Sequence, residues 1–298
     1  MKIRIGLGLG TRGVSTDGER FAAMVDSLER LRFDSLWLSE RITGDCPDPL
    51  VALAFAAART RKLKLGTSVQ VLPGRNPLLV AKEWATLDRL SGGRALPAFG
   101  LGVVDPREQQ AFGVDRGERA AWFDEALPLV RRFWTEESVD HEGRRFKFEA
   151  ASVLPRPIQQ PPDVWLGGRA TSELKRVGRL GDGWLPSFCT PADVEAGRPL
   201  IIATAERHGR AIDTEHWGAL VAYASGPLPD VVAAALRQRR PDAEPEQIVA
   251  SGHAGLRARL EGFVAVGASK FVVVPLAEPA NWDDELGALA DALLDLQR

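Results

Sequence analysis

Short apolar runs alternate with helix-spaced runs almost from end to end, and no other feature constrains this chain as much. Ile3 to Leu9 is apolar and ends in glycines; Glu19 to Leu31 follows with Phe21, Met24, Val25, Leu28 and Leu31 at helical spacing. Further strand-like runs lie at 35–38, 63–69, 95–101, 163–166, 183–186, 216–224 and 271–275. Helical runs separate them at 50–59, 78–90, 106–134 (broken near Gly113), 172–180, 192–206, 231–237 and 256–266. Asp48 and Pro49 supply an N-cap and a first-turn proline for the second helix, and Gly92 with Gly93 stops the third. The stretch from about 135 to 162 departs from the pattern. Its alternation, turn residues and prolines predict an excursion carrying a small hairpin.

Strands that each return through a helix must run parallel, with right-handed crossovers. Eight of them close as a TIM (β/α)8 barrel, so the prediction is one α/β barrel over 1–298 with an insertion after the fourth strand unit. An open doubly wound sheet is the alternative. It requires GxGxxG between the first strand and first helix, whereas Gly6 and Gly8 of GLGLGTRG fall inside the strand.

A formal net charge of -2 without a lysine-rich run gives no footprint for nucleic acid. The two cysteines, Cys46 and Cys189, stand far apart, outside any CxxC or Cys/His cluster, so no disulfide framework and no metal site is expected. The first residues read as a strand and not as a signal peptide, and no apolar run approaches the roughly 18 residues of a membrane span. The expectation is a cytoplasmic protein that does not engage membranes.

A TIM barrel places its chemistry at the C-terminal ends of its strands. Those ends are Gly8 to Arg12, Ser39 to Arg41, Ser68 to Leu72, Gly100 to Val103, Gly167 to Thr171, Ser187 to Cys189, Tyr223 to Ser225 and Pro275 to Ala277, many of them polar or glycine. The third strand ends abruptly, in Gln70, Pro73, Gly74, Arg75, Asn76 and Pro77, which no central strand could hold. Gly167, Gly168, Arg169, Ala170 and Thr171 combine close backbone approach, a helix N-terminus and a cation, which suits a phosphate; an ordinary turn capped by Thr171 or Ser172 fits equally. Glu40 and Arg41 read either as an acid and its partner within the mouth or as a solvated pair, and Glu108 as a helix-surface residue. Phe188 and Cys189 can line a hydrophobic substrate pocket, while Trp184 reads as core. No GxSxG serine elbow is present, and the four histidines share no metal or triad spacing.

Taken together, RFDSLWLSER (32–41), ARTRKLKLGTSVQVLPGRNPLLVAKEWATLDRLSGGR (58–94), AFGV (111–114), FDEALPLVRRFWTEE (123–137) and VWLGGRATSELKRVGRLGDGWLPS (164–187) resemble the bacterial luciferase-like oxidoreductase superfamily. The resemblance is greatest to its branch that uses the 5-deazaflavin coenzyme F420. It implies hydride transfer between the deazaflavin and a small organic substrate, a cis peptide between Ser68 and Val69 behind the ring, and a cofactor wall of Glu40, Ser68, Val69, Gln70 and Gly102. It also implies that Gly167 to Thr171 hold the cofactor phosphate, with catalytic work at Glu40 and Arg41, and it implies a homodimer. Two positions depart from the branch: Glu40 stands where Asp is usual, and Arg41 where the catalytic His often stands. Arginine stays protonated and cannot shuttle a proton as histidine does. Val103 occupies the position of a glutamate in the F420-dependent glucose-6-phosphate dehydrogenases, which disfavours sugar phosphate as substrate. Two further readings are an FMN-dependent monooxygenase fed by a separate reductase and a non-catalytic flavin-binding protein.

Overall fold

The computed structural model describes residues 1–11 and 16–297. The first half runs β1 (Arg4–Leu9), α1 (Gly18–Leu31), β2 (Ser35–Leu38), α2 (Pro49–Arg59), β3 (Lys64–Thr67), its continuation β4 (Gln70–Val71), α3 (Pro77–Ser91), and β5 (Ala95–Leu96) with β6 (Ala98–Gly100). Pro97 separates the last two, where a residue without an N–H interrupts the ladder. After α4 (Pro106–Phe112) and α5 (Arg119–Thr135) comes the expected hairpin, β7 (Val139–Glu142) paired antiparallel with β8 (Lys147–Ala151). The barrel resumes with β9 (Trp165–Leu166), α6 (Thr171–Leu180), β10 (Gly183–Trp184), α7 (Pro191–Arg207) and β11 (Gly218–Ala224). It finishes with α8 (Asp230–Arg239), α9 (Pro245–Ile248), β12 (Val249–Ser251), α10 (Gly252–Ala265), β13 (Lys270–Pro275) and α11 (Trp282–Leu293).

Parallel ladders join β11, β13, β1, β2, β3 and β5 in one arc and β4, β6, β9 and β10 in another. The chain itself links the arcs at Pro97. At the opposite seam, parallel bridges pair Trp184 with Trp217 and Ser187 with Leu220, supported by Trp184 N donating to His216 O at 3.0 Å and Leu220 N to Pro186 O at 2.9 Å. The eight-stranded ring is the predicted TIM barrel. β12 adds an extra parallel strand beside β11, outside the ring.

Glycine in the strands decides what fills the inside. A Cβ on Gly66 would lie 2.5 Å from the Trp37 ring, and one on Gly183 would lie 2.5 Å from the Trp165 ring. Only a bare backbone lets two indoles share the barrel axis, where they meet edge to face with centroids 6.2 Å apart. Leu96, Ala98, Leu185, Val272 and Val274 complete this inner core. Trp84, Phe133, Phe263 and Leu286 belong to the larger core between strands and helices.

Two differences from the sequence expectations stand out. α11 closes the barrel after the last strand, although no helix was expected there, and the segment after β11 holds α9 and β12 as well as the one helix foreseen. No helix among the described residues is long and apolar enough to cross a membrane.

Candidate active site

Strand bodies are buried, and partial exposure returns at their C-terminal ends: Ser39, Ser68, Val69, Gly100, Gly167, Ser187 and Phe188. Large side chains are scarce there. A Cβ built on Gly10 would meet nothing within 4 Å, so the space above the first strand is open. Arg12, which belongs to the same strand end in the sequence reading, lies outside the described residues. The Ser39 hydroxyl donates to Ser68 O at 2.8 Å and sits 3.2 Å from the Ser68 hydroxyl, placing two polar groups on an otherwise small-residue floor. The peptide between Ser68 and Val69 is cis. Gln70 turns its side chain away from the mouth: it is 1% exposed, and its Oε1 accepts from Trp84 Nε1 at 2.8 Å. Only its backbone, in register with Phe99, remains near the floor.

Glu40 and Arg41, both beyond the end of β2, do not form one acid–cation pair, because each has found a different partner. Glu40 is buried; its Oε2 accepts from Val71 N at 2.7 Å, and its Oε1 pairs with Arg75 at 2.5 Å. Burial pushes the Glu40 carboxyl up, against the opposing pull of Arg75 and the Val71 amide. The carboxylate therefore braces the end of the third strand from behind. Arg41 points the other way, 2.7 Å from Asp105 and 3.9 Å from Glu108. Glu108 is no surface residue: at 2% exposure it accepts from Thr43 N at 2.8 Å, Thr43 Oγ1 at 2.6 Å and Ile42 N at 3.2 Å. Burial pushes its carboxyl up, but these donors outweigh burial and hold it below the usual range. A helix position gives no hint that a loop will fold over it.

The Gly167–Thr171 loop leads from β9 into α6. Gly168 has φ +96°, and a Cβ there would fall 2.6 Å from the Glu173 side chain, so glycine is required on both counts. Glu173 Oε2 accepts from Arg169 N at 2.8 Å and Ala170 N at 2.9 Å. Two of the amides offered to a phosphate are thus already occupied. Neither Thr171 nor Ser172 caps the helix: the cap position is Ala170, which has no polar side chain. The exposed Thr171 and Ser172, with Arg169, are left as the donors at this helix end. Arg169 lies 3.3 Å from Asp193.

Phe188 and Cys189 part company. Phe188, held at φ +52°, packs on a small apolar cluster of Leu236, Ile248 and Val249 together with Ala222, Ala224, Leu228 and Val232. α8 and the turns around it therefore form a rim over the mouth, a role the periodic sequence pattern does not reveal. Cys189 is 3% exposed, its Sγ 3.7 Å from Pro186 O, and burial pushes its thiol up to about 12. It belongs to the core beneath the rim. Trp184 is likewise core, as expected, with Nε1 donating to Gly168 O at 2.9 Å. Gly102 sits in a loop fixed by Arg119, which is 3% exposed and donates to Leu101 O at 3.0 Å and Val103 O at 3.2 Å. Nothing in the sequence marks Arg119 for that task.

The C-terminal end of this eight-stranded α/β barrel thus carries small residues on its floor and Arg169 at a helix start on its edge. A family model for luciferase-like monooxygenases matches residues 2–269, and the chain belongs to that family. It is 35% identical over 167 residues to an F420-dependent glucose-6-phosphate dehydrogenase of Kineococcus radiotolerans, a match covering 53% of this chain and 49% of that one. The chain thus spans about half the length of that curated relative. Among solved structures, the coenzyme F420-dependent tetrahydromethanopterin reductase of Methanopyrus kandleri is similar with TM-score 0.79 and 20% identity over 100% of both chains. The FMN-bound oxygenating component of 3,6-diketocamphane monooxygenase from Pseudomonas putida gives TM-score 0.78 and 15% identity over 100% of this chain and 98% of that one. At these identities both structures share the fold.

Proposed function

We propose that this chain is a coenzyme F420-dependent oxidoreductase acting on a small organic substrate, as a cytoplasmic homodimer. The observation that carries the reading is the donor set at the mouth: a hydroxyl-bearing floor at Ser39 and Ser68, and a helix end without a side-chain cap beside Arg169. The donor set suits a flat ring with a phosphate on its side chain. The relationship to F420-dependent glucose-6-phosphate dehydrogenases favours the deazaflavin over FMN. Bound there, the deazaflavin would supply the carbon that takes or gives a hydride.

The side chains then divide the remaining work. Ser39, Ser68 and Val69 form the floor under the ring, and Glu40 keeps that floor in place through Val71 N and Arg75. Glu40 is accordingly a positioning residue. Arg41, protonated and tied to Asp105, orients an anionic group or the 41–46 loop and moves no proton. Phe188, Ala222, Ala224 and Leu228 keep water from the substrate side. Thr171, Ser172 and Arg169 would hold the phosphate.

Fluorescence titration of the apoprotein with the deazaflavin and with FMN, at matched ionic strength, tests the cofactor. Tight binding of the deazaflavin with weak binding of FMN is expected. Preference for FMN, followed by oxygen uptake once reduced FMN is supplied, would replace the reading with a monooxygenase served by a reductase. Sedimentation of the same sample checks the dimer.

A further inference from the structure

Side chains on a strand alternate between the barrel axis and the helices, so the inward set can be followed upward into the mouth. On β13, Val272 and Val274 belong to the inner core, and Leu276 continues their spacing one residue past the strand. Leu276 N donates to Tyr223 O at 2.9 Å, so the ladder to β11 still holds at this residue. Exposure climbs along the set, from 0% at Val272 and 8% at Val274 to 38% at Leu276. On the neighbouring β1, a Cβ on Gly8 would lie 2.7 Å from Val272 and 2.8 Å from Val274, which makes Gly8 inward as well; at Gly10, two residues further on, a Cβ would meet nothing within 4 Å. On the other neighbour, β11, Leu220 packs on the inner core and is followed at the same spacing by Ala222 and Ala224. One large apolar side chain thus stands between a glycine and two alanines, at the end of the barrel where this fold binds ligands.

A half-open apolar side chain on an outer face needs no explanation, and Ile202 of α7, equally exposed at 38%, is of that kind. An inward position is different. The charged groups around Leu276 are engaged elsewhere: Glu278 accepts from Arg20 Nε at 2.5 Å and from Trp282 Nε1 at 3.1 Å, and Arg41 pairs with Asp105 at 2.7 Å. Arg239, at the end of α8, lies over the Phe188 ring with its guanidinium carbon 4.1 Å from the centroid. We propose that Leu276 is the wall against which the substrate packs, and that the part of the substrate held there is apolar and uncharged. The inference deepens the proposed function and rests on it only in giving the mouth beside the seventh, eighth and first strands to the substrate.

The test uses a series of methyl ketones with four, six and eight carbons, and a keto acid of eight carbons as the charged counterpart of the longest. Each is titrated by calorimetry into the cofactor-loaded protein. Wild-type affinity should rise about fourfold per methylene, the gain for burying one CH2 group, and the keto acid should bind about tenfold more weakly than the ketone of its length. Leu276→Ser should cut the gain to about twofold per methylene, while Leu276→Met should keep most of it and Ile202→Ser all of it. Cofactor affinity in Leu276→Ser should stay within about twofold of wild type, which separates a lost wall from a damaged fold. A flat series in wild type, a series unaltered in Leu276→Ser, or a keto acid bound as tightly as the ketone would overturn the proposal. If wild type takes FMN and not the deazaflavin, the cofactor reading fails while the same series on the FMN-loaded protein still decides the role of Leu276. If it takes neither, the series is read on the apoprotein by the same criteria.

Discussion

A buried carboxylate that already holds a backbone amide and a guanidinium cannot serve a ligand without giving one of them up. Glu40 is in that state, with its side chain 1% exposed between Val71 N and Arg75. Glu40→Gln keeps an acceptor for the amide and removes the charge opposite Arg75, so unfolding in urea should cost about 2 to 3 kcal/mol less than in wild type. Glu40→Ala should lose more. An unchanged midpoint in both would show that the brace carries no weight. The two thiols make a second residue-scale prediction. Burial raises both Cys46 and Cys189, so a thiolate-specific reagent at pH 8 should label the native protein slowly and label both sites once it is denatured. Fast labelling of Cys189 in the native state would return it to the open pocket that its place in the sequence suggested. Sequence shows which residues stand at strand ends, and that much of the mouth is legible. Which carboxylate meets which guanidinium is settled by tertiary packing: Glu40 finds Arg75 across the strand end and Arg41 finds Asp105, while their adjacency in the chain decides nothing.

At the scale of elements, period and capping carry far. Asp48, Asn76 and Asp105 each cap the helix that follows them, with Pro49, Pro77 and Pro106 in its first turn. α11 carries comparable signals: Asn281 accepts from Asp283 N and Asp284 N, acids fill the first turn, and Leu286, Leu289 and Leu293 share a face. Those signals went unread in the sequence analysis, whereas the two-residue strands β9 and β10 are too short for periodicity to bound them. The rim helix α8 was legible as a helix and not as a rim, because its apolar contacts are with Ala222, Ala224 and Phe188 from elsewhere in the chain. Tertiary ties between elements are similarly hidden. Arg94, 9% exposed, donates to Ser91 O, Leu63 O, Ala57 O, Thr60 O and Thr60 Oγ1, joining α2, α3 and the start of β3. A lysine offers three donors on a flexible stem in place of this rigid fork. Arg94→Lys should therefore lower stability by about 2 to 4 kcal/mol, read from the urea midpoint, while cofactor affinity at the far end of the strands stays the same. A loss below 1 kcal/mol would mean that water replaces these bonds at little cost.

The molecule as a whole sets a buried ion-pair cluster at the end of the barrel axis opposite the proposed cofactor mouth. Its N-terminal end is closed by charges contributed from strands that are distant in sequence: Lys270 of β13 pairs with Asp34 just before β2, Lys64 of β3 lies 3.2 Å from Asp34, and Arg4 of β1 lies 3.9 Å from it and 2.8 Å from Glu215. Burial pushes the Asp34 carboxyl up, but Lys270 and Lys64 outweigh burial and hold it at about 2, below its ordinary 3.8. A carboxyl depressed on folding stabilises the native state fully above its unfolded value, and the contribution disappears as pH falls through the folded value. The window therefore runs from about pH 4 down to about 2, and the contribution is about 2 kcal/mol. Urea midpoints measured across that range should fall for wild type and fall less for Asp34→Asn. At pH 7 the variant should already be weaker by about 3 kcal/mol, because Lys270 is left buried without its partner. The apoprotein's affinity for its cofactor at pH 7 should not change, since the mouth lies at the opposite ends of the same strands. If Asp34→Asn lost cofactor binding and stability together while remaining folded, the two ends of the barrel would be coupled through Trp37, whose ring lies 5.6 Å from the Lys270 ammonium at the base and whose strand leads to Ser39 at the floor of the mouth.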